Sequence, residues 1–198
     1  MYDAADTAYC YPRSTVLKNL AGLRSARALK RYELAMSAQR AEEPLPQGRL
    51  GVAHYRAVHR HLFQDVYSWA GRFRTVRISR GQSAFCYPEN IAREMDALFT
   101  GLRDRRYLHG RRADDYARDL AAFIATLNAI HPFRDGNGRT QLAFAALLSH
   151  RAGHRLDLTR LRPRPFLSAM IESFHGNEAP LATQLRQLMD QSRRPRAG

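Results

Sequence analysis

The chain has 198 residues, a length that suits one domain. Hydrophobic residues make up 44% of the sequence and charged residues 25%, which is typical of a globular protein and excludes the fibrous and disordered classes. No run of about 18 apolar residues occurs, so no membrane-spanning helix is expected.

The chain is strongly basic, with a formal net charge of +14. A basic surface attracts nucleic acids, nucleotides and acidic proteins alike, so the charge alone selects no function, and specific nucleic-acid binding is not expected. The first six residues lack the basic and apolar stretches of a secretory signal. Cys10 and Cys86 are too few for a disulfide framework or a zinc site, and a cytoplasmic location is expected.

The N-terminal third predicts two helices. Residues 1–13 predict an extended arm, and the apolar spacing of residues 16–40 predicts a helix interrupted at Gly22. Two prolines and a glycine predict a loop over residues 43–48. Apolar residues near helical spacing predict a second helix over residues 50–66.

A short β-hairpin is predicted next. Residues 73–78 are rich in β-formers, Gly81 and Gln82 favour a turn, and residues 84–87 would return as the second strand. The alternative is a surface excursion without a role.

The remainder of the chain predicts helices only, over residues 89–102, 114–130, 137–152, 165–174 and 181–191. Residues 137–152 are apolar on almost every face, which predicts a central, buried helix. The sequence therefore predicts an all-α fold, a compact helical bundle with one small β-hairpin. We expect one domain over residues 1–198, with its core at about 9–191 and a disordered tail at 193–198.

The segment that carries chemistry is residues 131–139, His-Pro-Phe-Arg-Asp-Gly-Asn-Gly-Arg. Pro132 disfavours continuation of the preceding helix, so His131 is expected on a turn at the helix end. The glycines allow close backbone approach before the next helix, whose N-terminus then presents free N–H groups to an anion. Arg139 adds a guanidinium suited to phosphate.

Two further residues complete this chemistry. Asp135 is a carboxylate beside an anion site, an arrangement that favours a bridging Mg²⁺. His131 titrates near neutrality and is suited to accept a proton from an attacking hydroxyl. Together these residues predict transfer of a nucleotide fragment. The alternative is a structural corner between two helices, with His131 capping the first.

The segment resembles the signature of the Fic family, His-x-Phe-x-(Asp/Glu)-Gly-Asn-Gly-Arg, at every fixed position. Residues 9–12 and 17–19 resemble the start of toxin-type Fic domains, and residues 61–71 resemble the segment that precedes the family's flap. The resemblance covers about residues 9–191.

The resemblance implies a Fic-fold adenylyltransferase, which moves AMP from ATP to a side-chain hydroxyl of a target protein and releases pyrophosphate. It implies that His131 is the general base and that Asp135 binds Mg²⁺. The implied anion hole consists of Gly136, Asn137, Gly138 and Arg139. A glycine at position 138, where a phosphorylating branch has a lysine, argues against that branch.

The predicted hairpin corresponds to the family's flap, where a target segment is held by added-strand pairing. The residues implied for target docking are Arg77, Ile78, Ser79, Arg80, Gly81 and Phe85.

The sequence departs from the family at Leu142, where a second arginine is implied to clamp the γ-phosphate of ATP. Loss of one charge-assisted contact would weaken phosphate binding by about tenfold to a hundredfold. The departure predicts a slow enzyme, a different nucleotide or diphosphate donor, or a substitute cation, for which Arg134 and Arg151 are candidates.

The chain also lacks the inhibitory helix of many relatives. Residues 168–172 have its Ser-x-x-x-Glu spacing, but Ser173 follows instead of Gly or Asn. The resemblance therefore implies a toxin restrained by a small separate antitoxin, acting on an exposed Tyr, Thr or Ser of a target such as the ATPase subunits of type II topoisomerases. The remaining alternative is an inactive Fic fold that acts as a binding module.

Overall fold

The structure, a computed structural model, describes residues 8–80 and 83–189 and confirms the mostly helical fold. Its helices are α1 Ala26–Glu42, α2 Val52–Phe63, α3 Ile91–Asp104, α4 Ala113–Ile130, α5 Asn137–Ala152, α6 Pro163–Phe174 and α7 Ala179–Leu188. Its strands are β1 Ser79–Arg80 and β2 Ser83–Ala84, and short 3₁₀ turns lie at Pro88–Asn90, Arg106–Leu108 and Leu158–Arg160. Within these residues no helix has the length and hydropathy needed to span a lipid bilayer.

The central helix is α4, which packs against α3, α5, α6 and α7. Its buried side chains lie on most of its circumference and include Tyr116, Leu120, Phe123 and Leu127. The sequence predicted α5 for this place, which is wrong in part. Helix α5 packs mainly on α2 and α4. It is not buried on every side, because only one face is buried, with Thr140, Gln141 and Ser149 beside apolar residues, and the opposite flank is half-exposed.

Helix α1 starts ten residues later than predicted. Its N-cap is Ser25, whose hydroxyl accepts a hydrogen bond from the Ala28 N–H. Ahead of it, the Asn19 side chain donates to the Leu17 and Leu23 carbonyls and accepts from the Leu23 N–H, which gives this backbone partners outside a helix. Gly22 adopts a left-handed φ of 66° that ends any earlier helical turn.

The predicted N-terminal arm is folded back on itself. Cys10 and Leu17 form an antiparallel bridge, and the Lys18 N–H donates to the Tyr9 carbonyl at 2.7 Å. Tyr9, Cys10, Val16 and Leu17 are buried, because this turn packs its apolar side chains on the core. Residues 1–7 lie outside the described part of the chain.

The predicted hairpin is present but shorter than expected. Ser79 pairs with Ala84 and Arg80 with Ser83, and the turn predicted at residues 81–82 lies outside the described residues. The strand predicted at 73–78 is irregular, because Arg74 is drawn into the interior. The predicted tail at 193–198 and the end of the last predicted helix also lie outside the described residues.

Candidate active site

His131 ends α4 in a left-handed conformation, with φ 48° and ψ 60°. Pro132 follows and prevents the helix from continuing. The imidazole Nδ1 lies 3.2 Å from the Asn128 carbonyl oxygen, so Nδ1 carries the proton and donates to it. Nε2 is therefore the basic nitrogen, and the residue lines a cavity.

A buried arginine holds this turn from behind. The Arg74 Nε donates to the His131 carbonyl at 2.8 Å, and its Nη2 donates to the Ile130 carbonyl at 3.2 Å. The same guanidinium donates to the Val76 and Cys86 carbonyls at the base of the hairpin. Its positive charge lies at the negative end of the α4 dipole. Sequence reasoning missed Arg74, for which the only signal was an arginine within an apolar run.

Asn137 closes the loop with its side chain. Its Oδ1 accepts from the Phe133 N–H at 3.0 Å, and its Nδ2 donates to the Phe133 carbonyl at 2.8 Å. The side-chain amide is thus used inside the loop, which leaves only the backbone N–H of Asn137 available to an anion.

His59 supports the same loop from α2. Its Nε2–H donates to the Asp135 backbone carbonyl at 3.0 Å, and its Nδ1 accepts from the Gly71 N–H at 2.8 Å. The ring stacks on Phe133 with 3.7 Å between ring centroids. Burial lowers the pKa of His59 to about 3, so the ring is neutral and keeps this donor and acceptor pattern.

Helix α5 begins at Gly136, which has a left-handed φ of 81°. The first bond within the helix joins the Thr140 N–H to the Gly136 carbonyl, so the N–H groups of residues 137–139 have no acceptor within the helix. A Cβ built on Gly138 would meet nothing within 4 Å, and Gly138 lines the cavity. This N-terminus therefore presents backbone donors and open space to an anion.

Asp135 lines the cavity beside these donors, and its Oδ1 accepts from the Gly136 N–H at 2.6 Å. Burial raises the pKa of its carboxyl, and the nearby Glu33 carboxylate raises it further. No group of three His, Cys, Asp or Glu side chains arranged for a metal occurs within residues 8–80 and 83–189. A single carboxylate fits Mg²⁺ that takes its other oxygen ligands from phosphates and water.

Arg139 lines the cavity, and its guanidinium is bound to α1. Its Nη1 donates to the Ser37 hydroxyl at 2.8 Å, its Nη2 lies 2.5 Å from the Glu33 carboxylate, and its guanidinium stacks over the Phe63 ring. The Tyr67 hydroxyl also donates to Glu33. Burial raises the pKa of Glu33, but the charge of Arg139 and these hydrogen bonds outweigh burial and hold it below its usual value.

Glu33 is a second residue that sequence reasoning missed. It shares the buried face of α1 with Leu29 and Ser37, at intervals of four residues. That spacing was the available signal, because a carboxylate on an otherwise buried helical stripe requires a charged partner.

The cavity has a volume of about 880 Å³ and unites these groups. Its lining combines polar groups, namely His131, Asp135 and the first turn of α5, with apolar residues of α6 such as Phe166 and Met170. Leu142 lies on its wall, one turn after Gly138. This combination of an anion site and an apolar recess suits a ligand with phosphates and an aromatic base.

Neither predicted substitute for the arginine absent at position 142 belongs to this cavity. Arg134 is buried, with its Nη2 3.9 Å from the Cys10 sulfur. Arg151 lies over the Tyr107 ring and lines a separate cavity of about 330 Å³. Both predicted substitutes are therefore wrong, because Arg134 is buried near the Cys10 sulfur and Arg151 packs over the Tyr107 ring, and neither lines this cavity.

The hairpin lies beside His131. The Phe85 ring stacks on the imidazole with 3.9 Å between centroids, and Phe85 lines the cavity. Ile78 is buried, whereas Arg77 is exposed and contacts Glu89. Ser79 and Arg80 form β1, and Gly81 lies outside the described residues.

Comparison with known families decides the relationship. The Fic/DOC family profile matches residues 49–149, which contain α2, the hairpin and the whole of the 131–139 turn. The chain belongs to the Fic/DOC family. The resemblance seen in the signature segment is thereby confirmed.

Relatives and solved structures extend this match over most of the chain. "Probable protein adenylyltransferase y4lH" of Sinorhizobium fredii is 47% identical, over 95% of this chain and 98% of its own length. The N-terminal Fic domain of a Bep effector from Bartonella quintana, with bound ADP, is 27% identical at a TM-score of 0.85 and covers 93% of this chain and 95% of that one. BepC of Bartonella tribocorum, with bound AMPPNP, is 25% identical at the same TM-score and covers 93% and 97%.

Proposed function

We propose that this protein transfers AMP from ATP to a side-chain hydroxyl of a target protein and releases pyrophosphate. The observation that carries the proposal is that His131, whose Nε2 is the basic nitrogen, and the residues of the first turn of α5 line one cavity. The relative y4lH carries the name of this activity, and related Fic domains bind ADP and AMPPNP.

The donor would be held by its phosphates. The N–H groups of residues 137–139 and the positive end of the α5 dipole bind phosphate oxygens, and Gly138 leaves room for them. Asp135 would hold Mg²⁺, which when bound neutralises charge on the phosphates. Arg139 supports this site indirectly, because its guanidinium holds α1 against the first turn of α5.

His131 would act on the target hydroxyl. Nε2 accepts the hydroxyl proton as the oxygen forms its bond to the α-phosphorus, and the bond from that phosphorus to the pyrophosphate oxygen breaks. The Asn128 carbonyl holds the proton on Nδ1, while Arg74 fixes the backbone of the turn. The imidazole is therefore held in the tautomer that a general base requires.

The target segment would pair with β1. The Phe85 N–H donates to the Ile78 carbonyl, so in this antiparallel register the N–H and C=O of Ser79 point away from β2. On the other side of the hairpin, the chain that follows β2 is bonded to α4, because the Cys86 N–H donates to the Ala129 carbonyl. Ser79 is thus positioned to hydrogen-bond an added strand beside the His131 ring.

The direct test uses α-labelled ATP, Mg²⁺ and a bacterial extract. Label should appear on protein, and His131→Ala should reduce its transfer by at least about a hundredfold. His109→Ala, which removes an exposed histidine outside the cavity, is the control. Equal labelling by the two variants would exclude the proposed role of His131, and no labelling by the wild type would favour a binding module.

Leu142 favours a second candidate, a transferase with a different nucleotide or diphosphate donor. The apolar side chain lies on the cavity wall where the family has an arginine. A panel of α-labelled nucleotides and nucleotide-linked diphosphates separates the candidates, because ATP should be preferred under the first. A large gain of ATP-dependent transfer in Leu142→Arg would indicate attenuation, and an unchanged preference for another donor would indicate the second candidate.

We further propose a separate inhibitory partner, an antitoxin, and a target such as the ATPase subunit of a type II topoisomerase. Residues 168–172, which have the inhibitory spacing, lie in α6, where Glu172 accepts from the Asn177 amide. Purified topoisomerase subunits should be labelled on a Tyr, Thr or Ser found by mass spectrometry. Labelling of other proteins with none on these subunits would refute that target.

A further inference from the structure

Leu142 leaves the first turn of α5 in need of another cation if the donor is a triphosphate. Arg134 and Arg151 do not line the cavity. Lys30 of α1 does, together with residues 136–139 and Leu142.

Lys30 forms an ion pair with Glu33. The Glu33 Oε1 atom lies 3.3 Å from the Lys30 Nζ and 2.5 Å from the Arg139 Nη2, so the ammonium is next to the first turn of α5.

Of the two cations on Glu33, Lys30 is the one able to move. Its side chain is 61% exposed, and a surface ion pair of this kind is weak. Arg139 is bound to Glu33 and Ser37 and stacked on Phe63, so its departure would leave a buried carboxylate without its strongest partner. If Lys30 leaves, Arg139 and the Tyr67 hydroxyl still satisfy Glu33.

We propose that the Lys30 ammonium binds the terminal phosphate of a triphosphate donor, in place of a guanidinium at position 142. This inference rests on the proposed function. Lys30 releases Glu33 when the donor enters and makes a charge-assisted contact at the phosphate end of the cavity. It therefore distinguishes ATP from ADP, which lacks that phosphate.

The test measures dissociation constants of AMPPNP and ADP by calorimetry, with Mg²⁺ present. Lys30→Met should raise the dissociation constant of AMPPNP by about tenfold to a hundredfold and that of ADP by less than about threefold. Lys30→Arg should retain most of the preference for AMPPNP. In the Lys30→Met background, Leu142→Arg should restore it, because the two cations would serve the same phosphate.

The matched control is Arg31→Ala, which removes one positive charge from the neighbouring, exposed position of α1, outside the cavity. It should leave both constants unchanged within about twofold. Equal effects of Lys30→Met on AMPPNP and ADP, or failure of Leu142→Arg to restore the difference, would overturn the inference and assign Lys30 to Glu33 alone.

These outcomes are separable from the proposed function. If wild-type protein binds AMPPNP and transfers label in a His131-dependent manner while Lys30→Met preserves the ATP preference, the inference fails and AMP transfer stands. If the wild type binds neither nucleotide, the proposed function itself fails.

Discussion

Two glycines of the signature have different physical tasks. A Cβ at Gly136 would lie 2.4 Å from the Phe63 ring, and the φ of 81° disfavours any larger residue. A Cβ at Gly138 would enter open cavity space. The first glycine is therefore required by the fold, whereas the second leaves cavity space open.

The two alanine variants should separate these tasks. We expect Gly136→Ala to lower the free energy of unfolding by about 2–4 kcal/mol, from overpacking and backbone strain, as measured by urea titration. Gly138→Ala should stay within about 1 kcal/mol of wild type because it sits in the first turn of a helix. It should nevertheless weaken AMPPNP binding at least about tenfold. Reversal of this pattern would contradict the assignment.

His59 makes stability depend on pH. Its pKa is about 3 in the folded state and 6.5 for an unperturbed histidine, so between these values the unfolded state binds more protons. The free energy of unfolding should therefore fall as pH falls below 6.5, by up to about 1.4 kcal/mol per pH unit, and His59 should add no dependence above it. Urea titrations from pH 7.5 to 4.5 should show a shallower loss for His59→Gln than for wild type. Equal slopes would contradict the buried, neutral ring.

At the scale of elements, the hairpin and the end of α4 form one assembly. Arg74 joins carbonyls of both, and Phe85 places the hairpin against the His131 ring. An added strand on β1 would therefore be registered relative to the imidazole by backbone geometry, whatever its side chains.

A proline tests that register. Ser79→Pro removes an outward-pointing N–H and no hydrogen bond between β1 and β2, whereas Ser79→Ala retains the N–H. We expect Ser79→Pro to lower the kcat/KM for the protein target at least about tenfold, with the AMPPNP dissociation constant unchanged. Full activity of the proline variant would show that the target does not pair with this edge.

At the scale of the whole molecule, the cavity draws on segments far apart in the chain. Lys30 comes from α1, His131 from the end of α4, and Met170 from α6. A ligand that contacts all three should stabilise the folded chain as a unit.

AMPPNP should accordingly raise the melting temperature. At a hundred times its dissociation constant the ligand adds about 2.7 kcal/mol to the free energy of unfolding, which corresponds to about 5–10 °C for a chain of this length. Calorimetric scans with and without AMPPNP and Mg²⁺ measure the shift. Adenosine at the same concentration is the control, and an equal shift would show that the phosphates contribute nothing.

Local patterns predicted much of this molecule. Residues 137–152 were predicted as a helix with the bounds that α5 has, because a glycine-rich turn precedes it and Gly153 follows it. Residues 165–174 and 114–130 likewise agree with α6 and α4. The start of α1 was mispredicted because the Asn19 side chain hydrogen-bonds the local backbone. The spacing of apolar residues does not reveal such bonds.

The sequence by itself determined the helical class, the turn from His131 to Arg139 and the glycine-led start of α5, because each depends on neighbours within a few residues. Only the tertiary structure decided that Arg139 binds Glu33, that Arg74 holds the His131 carbonyl, and that Lys30 reaches the cavity. The first two contacts join residues 106 and 57 positions apart, and burial and charge pairing select them once the helices have packed.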